Sequence, residues 1–141
     1  MPPENLHVTL AFLGSRPAGD ARAVAAALES AAHGVGGIVL RVREYRETRS
    51  VGMLVFDDEE GCARELAERL HERLESLELY RSEARPWLSH LTVLRFRVRP
   101  RLAPPLPELG ELVPSDGAVF ISRLRSGGAQ YDVVEAVGLG G

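Results

Sequence analysis

The chain has no lysine and a single cysteine, Cys62, among its 141 residues. One thiol excludes an internal disulfide framework and suits a reducing compartment. Long apolar runs are missing as well. None approaches the roughly 20 residues needed to span a bilayer, and no cleavable secretory signal is read at the opening. A cytoplasmic protein is expected, without membrane association or an obligate protein partner. Excess positive charge is also absent: the formal net charge is −3. That argues against coating nucleic acid by bulk attraction, so any RNA contacts must be local. All 17 basic residues are arginine. The planar guanidinium fork suits phosphate, although a GC-rich genome explains a whole-chain bias more simply. With 45% hydrophobic and 26% charged residues, the composition is that of a globular protein, and the length fits one domain, residues 1–141, with a sizeable core.

Hydrophobic periodicity orders the rest. N-L-H-V-T-L-A-F-L-G reads as a central strand ended by Gly14. Residues 20–33 read as an alanine-rich helix stopped by Gly34. Strands are expected at 37–43 and 51–56. Asp57 and Asp58 offer N-caps for a second helix. Ala63, Leu66, Ala67, Leu70, Leu74 and Leu77 place an i, i+3, i+4, i+7 stripe on that helix. S-H-L-T-V-L-R-F-R-V reads as a further strand. Five prolines (Pro100, Pro104, Pro105, Pro107, Pro114) make 100–117 an irregular connection. Strands at 118–124 and 131–137 close the chain through a turn at Ser126, Gly127 and Gly128. The order β-α-β-β-α-β-β-β indicates α+β: antiparallel sheet with helices on its outer faces.

Two segments echo each other: His7-Val8-Thr9-Leu10 and His90-Leu91-Thr92-Val93. The chain holds four histidines and three threonines, and two such coincidences arise by chance at a rate below about 1%. Strand side chains alternate faces, so each segment presents an imidazole beside a hydroxyl, backed by apolar residues. An unperturbed imidazole titrates near about 6.5, so one ring can be neutral while the other is protonated. The neutral ring takes a proton from water, the protonated ring donates to a departing alkoxide, and the hydroxyls bind the non-bridging phosphate oxygens. That set hydrolyses a phosphodiester in line without a metal. The bland alternative makes these residues core histidines and ordinary strand formers; it explains either segment alone better than both together. H-x-T supplies one nitrogen ligand per strand, and no nearby Cys, Asp or Glu spacing completes a metal site. Neither metal nor cofactor is expected.

P-P-E-N-L-H-V-T-L-A-F-L-G, R-P-W-L-S-H-L-T-V-L-R and S-R-L-R-S-G-G-A-Q-Y together resemble the two-histidine phosphoesterase superfamily. Within it they are most similar to the RNA 2′,3′-cyclic phosphodiesterases, historically called 2′-5′ RNA ligases. The resemblance implies a bilobal fold of two pseudo-symmetric lobes, with antiparallel sheets lining a central cleft. It implies hydrolysis of RNA ends bearing a 2′,3′-cyclic phosphate to a 2′-phosphomonoester, with reversible 2′-5′ ligation as a lesser activity. By motif position His7 is then the proton donor to the leaving 3′-oxygen and His90 the base, while Thr9 and Thr92 hold the phosphate. Phe12 stacks on a base and Arg95 binds phosphate, although strand alternation places both on the face opposite the histidines. Arg85 is a further phosphate candidate, or a partner of Glu83. Relatives carry a strand and a helix ahead of this opening segment, and often a valine where Met1 stands. The expectation is a start codon set too far downstream, at a GTG triplet, leaving a sheet edge unpaired.

Arg95, Arg97, Arg99 and Arg101 recur with period two, as an RNA-backbone stripe or, preferably, a solvated edge-strand face. His71 reads as a solvated helix residue, His33 as a cation at a helix end, Tyr131 as core, and Cys62 as structural. Two other functions stay open: a nucleotide- or RNA-binding module without turnover, which needs no pair of proton-transfer groups, and a phosphodiesterase for a small cyclic nucleotide.

Overall fold

Alanine and leucine periodicity builds the two helices. A computed structural model describes residues 7–83, 85–126 and 128–139. After a 3-10 turn at Ala18–Asp20, α1 spans Ala21–Ala32 and buries Val24, Ala25, Ala27, Leu28 and Ala31. That face packs against α2 (Cys62–Ser76). Gly34, with φ 80°, takes the left-handed conformation that ends α1. At the start of α2 the Asp58 carboxylate accepts the amides of Ala63 (3.2 Å) and Arg64 (2.9 Å). It caps from four residues upstream of Cys62, because a turn through Gly61 intervenes. The expected stripe of α2 is buried through Leu74, whereas Leu77 lies past the last turn and is 51% exposed.

Three strands form one antiparallel sheet in the order β1-β2-β3: Arg41–Glu47, Val51–Asp57 and His90–Arg95. The first begins later than its apolar content predicts. A tight turn decides this: Thr48 accepts the amides of Ser50 and Val51 on its hydroxyl and donates its own amide to the Val51 carbonyl. Pairing with the apolar β2 then draws the charged run before Thr48 into the ladder, while Ile38 and Leu40 are buried outside it. A second, two-stranded sheet is the hairpin of β4 (Asp116–Arg125) and β5 (Gly128–Gly138). Gly127, in the expected turn, lies outside the described residues, as do Asn5 and Leu6 of the first predicted strand and the Met1 start. The architecture is α+β with antiparallel sheets, as the element order implies. One buried cluster joins α1 and α2 to Leu40 and Phe56, and Val8, Leu54, Leu91, Val119 and Val137 pack against it.

Two expectations are corrected. The segment from His7 is no regular central strand among the described residues; its ladder contact is a single antiparallel bridge, Val8 to Leu91. The arginine stripe is not one strand face either, because β3 stops at Arg95 and Arg99 turns back to Glu47. The proline-rich connection is irregular as expected, and Glu47 docks it. The Glu47 side chain, 2% exposed, accepts from the Tyr45 hydroxyl (2.8 Å), Arg99 Nε (3.2 Å) and the Leu102 amide (2.9 Å). Burial pushes its carboxyl up, but hydrogen bonds from Leu102, Tyr45, Arg99 and Arg101 outweigh that and hold it below its usual range. A depressed pKa contributes stability that is present above the unfolded value and lost as pH falls through the folded one. Glu47→Gln is therefore expected to be less stable than the parent at neutral pH. The gap should close in acid, below the ordinary carboxylate range, as urea unfolding at a series of pH values would measure.

Candidate functional site

The Val8–Leu91 bridge sets the geometry of the site. In an antiparallel pair the neighbours of a bridged pair also face each other, so Thr9 lies across from His90 and His7 across from Thr92. Val8 and Leu91 turn toward the core. His7, Thr9, His90 and Thr92 consequently share the opposite face in a two-by-two array. Directly opposed residues have Cβ atoms about 4.5–5.5 Å apart and diagonal pairs are separated by about 7–8 Å. The histidines occupy one diagonal and the threonines the other, a spacing that leaves room for one tetrahedral group between the rings.

Beside His90 and Thr92, β2 presents Val55 and Met53 as their cross-strand partners on the same face, 0% and 6% exposed. This buried apolar flank fixes the strand on which the second motif rides. Between Thr92 and Leu94 the register slips, because Gly52 pairs with Leu94 and Met53 with Thr92. The extra residue is Val93. Such a bulge resets the alternation, so Arg95 pairs with Val51 and shares the face of Met53, Val55, His90 and Thr92. Counting residues along a regular strand had put Arg95 on the wrong side. It is exposed, free to reach toward the array.

Each imidazole has its own support. His90 Nδ1 lies 2.9 Å from the Leu88 carbonyl oxygen. A carbonyl only accepts, so Nδ1 carries a proton, and in the neutral ring the lone pair is on Nε2. His7 rests against the second sheet. Its ring stacks on Phe120 (centroids 5.8 Å, 27° between planes) and meets Tyr131 edge-on at 5.0 Å. Tyr131, read from sequence as core, is half-buried against the first histidine, and neither it nor Phe120 carried a local signal for that contact. Trp87 Nε1 donates to the Thr9 carbonyl at 3.0 Å. His71 Nε2 lies 2.6 Å from the Leu10 carbonyl, and its ring sits 4.8 Å from Tyr80. His71 is thus half-buried and engaged rather than solvated, because its flank of α2 faces the first motif.

Of the other candidates, Phe12 is 78% exposed, so it does not pack in the core. The backbone bends at Leu10, which ends the alternation that would have turned Phe12 inward. Arg85 is exposed, two residues before Trp87. An open groove of about 730 Å³ is lined by Arg41, Arg43, Arg64, Trp87 and Ser89 among others, and neither histidine contributes to it. Among the described residues no three His, Cys, Asp or Glu side chains converge as metal ligands. No helix there is long and apolar enough to cross a membrane.

Comparison with known proteins bears on the fold and on the first motif. A family described as LigT like Phosphoesterase matches residues 1–48, which include the first H-x-T segment. A crystal structure of a Thermus thermophilus protein superposes with a TM-score of 0.82 at 29% identity, over 99% of this chain and 80% of that one. Escherichia coli LigT complexed with 3′-AMP superposes with a TM-score of 0.82 at 22% identity, over 96% of this chain and 78% of that one. A third structure, of a phosphoesterase, gives 0.83 at 22% identity, over 100% and 85%. No curated protein matches in sequence.

Proposed function

We propose that this chain, which resembles LigT-like phosphoesterases in its first 48 residues and in its fold, is a two-histidine phosphoesterase that hydrolyses RNA ends bearing a 2′,3′-cyclic phosphate to a 2′-phosphomonoester. The observation that carries this reading is the diagonal placement of His7 and His90 on one face, with a threonine beside each. The cyclic phosphate sits between the rings. His90 Nε2 takes a proton from a water, and the oxygen attacks phosphorus opposite the 3′-oxygen. The bond from phosphorus to that oxygen breaks, and protonated His7 donates to it, leaving a free 3′-hydroxyl. Proton exchange with solvent resets both rings. The Thr9 and Thr92 hydroxyls and the Arg95 guanidinium stabilise charge on the non-bridging oxygens. Phe12, exposed beyond the first motif, offers a ring on which a base stacks, and Arg85 a contact for a flanking phosphate. All 141 residues act as one catalytic domain. Escherichia coli LigT, which shares this fold, is known in complex with 3′-AMP and with ATP, and that supports a nucleotide-bearing substrate.

Purified protein is incubated with an oligoribonucleotide ending in 2′,3′-cyclic phosphate, with EDTA present. A 2′-phosphate product and a bell-shaped pH profile are expected, since one ring must be neutral and the other charged. A 3′-phosphate product, or abolition by EDTA, would overturn the scheme. Cleavage of a cyclic mononucleotide at the same kcat/KM would favour a small-molecule substrate. Tight binding of the RNA without turnover would favour a non-catalytic module.

A further inference from the structure

The first H-x-T segment poses a mechanical problem. It carries His7 and Thr9, which have to be held to within a fraction of an ångström, yet its ladder contact among the described residues is the single Val8–Leu91 bridge. Packing of Val8 and Leu10 on the core fixes which face points inward but resists sliding along the strand only weakly. The next two carbonyls are taken by side chains instead of a neighbouring strand. Trp87 Nε1 donates to Thr9 at 3.0 Å, and His71 Nε2 reaches Leu10 at 2.6 Å. The two donors come from unlinked places. Trp87 stands three residues before His90, and His71 lies on α2 with Tyr80 against its ring.

We infer that Trp87 and His71 are positioning residues, which hold His7 and Thr9 in register with His90 by clamping the Thr9 and Leu10 carbonyls. Trp87 has the more direct part. The Leu88 carbonyl orients His90 while the preceding indole fixes Thr9, so one short stretch of chain ties both motifs together. The clamp is neutral toward substrate binding and acts on the placement of the reacting groups. The inference rests on the proposed roles of His7 and Thr9 for its kinetic consequence, and on geometry alone for its structural one.

The test uses Trp87→Phe and His71→Phe, which keep an aromatic ring and remove the donor, together with His71→Gln, whose amide still donates. Backbone amide exchange over residues 7–13 is measured first, without substrate. It is expected to accelerate about 2- to 10-fold for each bond removed, with exchange in β2 and the melting temperature little changed. His71→Gln should restore most of the protection. Turnover of cyclic-phosphate RNA is measured second, where a fall in kcat of about 10- to 100-fold is expected at nearly constant KM. Parental exchange over 7–13 in the double variant Trp87→Phe/His71→Phe overturns the clamp. Faster exchange spread evenly through the sheet overturns it too, since the residues would then be stabilising the fold at large. If the parent protein fails to hydrolyse the RNA, the functional reading falls and the exchange result still decides the clamp.

Discussion

Alanine at His7 or at His90 is expected to lower hydrolysis of a 2′,3′-cyclic phosphate end by about 10²–10⁴-fold, the range for one positioned proton transfer. The two losses should be distinguishable. Without His90 the water has no base, and the acidic limb of the rate profile disappears with it. Without His7 the 3′-oxygen must leave as an alkoxide, and the alkaline limb disappears. An aryl phosphodiester, whose phenolate leaves without a proton, should therefore recover most of the rate in His7→Ala and little in His90→Ala. The neutral tautomer required of a base is already favoured at His90 by its bond to the Leu88 carbonyl. Steady-state kinetics with both substrates from mildly acidic to mildly alkaline pH checks this; undiminished turnover in either variant would remove the two-histidine scheme.

Leu74→Ala should be the most costly of the single truncations in the helical core, at about 2–5 kcal/mol. Leu74 is 0% exposed at the end of the α2 stripe, so the cavity left behind is enclosed. Against a total stability of about 5–15 kcal/mol, that loss lowers the melting temperature by on the order of 10 °C. Leu77 belongs to the same sequence stripe, yet it stands beyond the helix end and is 51% exposed. Its truncation should cost within about 0.5 kcal/mol. Thermal denaturation followed by circular dichroism separates the two.

That contrast marks how much was legible in advance. The helix stripes follow from a period of 3.6 and the paired H-x-T segments from a period of 2, both local properties of the backbone. Where the chain departs from regular periods, local reading failed. The bend at Leu10 exposes Phe12, and the bulge at Val93 moves Arg95 to the other face. The turn at Thr48 draws a charged run into β1. His71 looked like one more polar residue on a helix, because nothing nearby in sequence announces the Leu10 carbonyl, 61 residues away.

Sequence alone determined the chemistry on offer: two imidazoles, each with a hydroxyl on the same side of its strand, and the apolar residues that turn them outward. Tertiary structure decided who faces whom. Placing Thr9 opposite His90, His7 against Phe120 and Tyr131, and Trp87 on the Thr9 carbonyl requires segments far apart in the chain to meet. Strand register and docking minimise the energy of the whole packed core, and no local period encodes them.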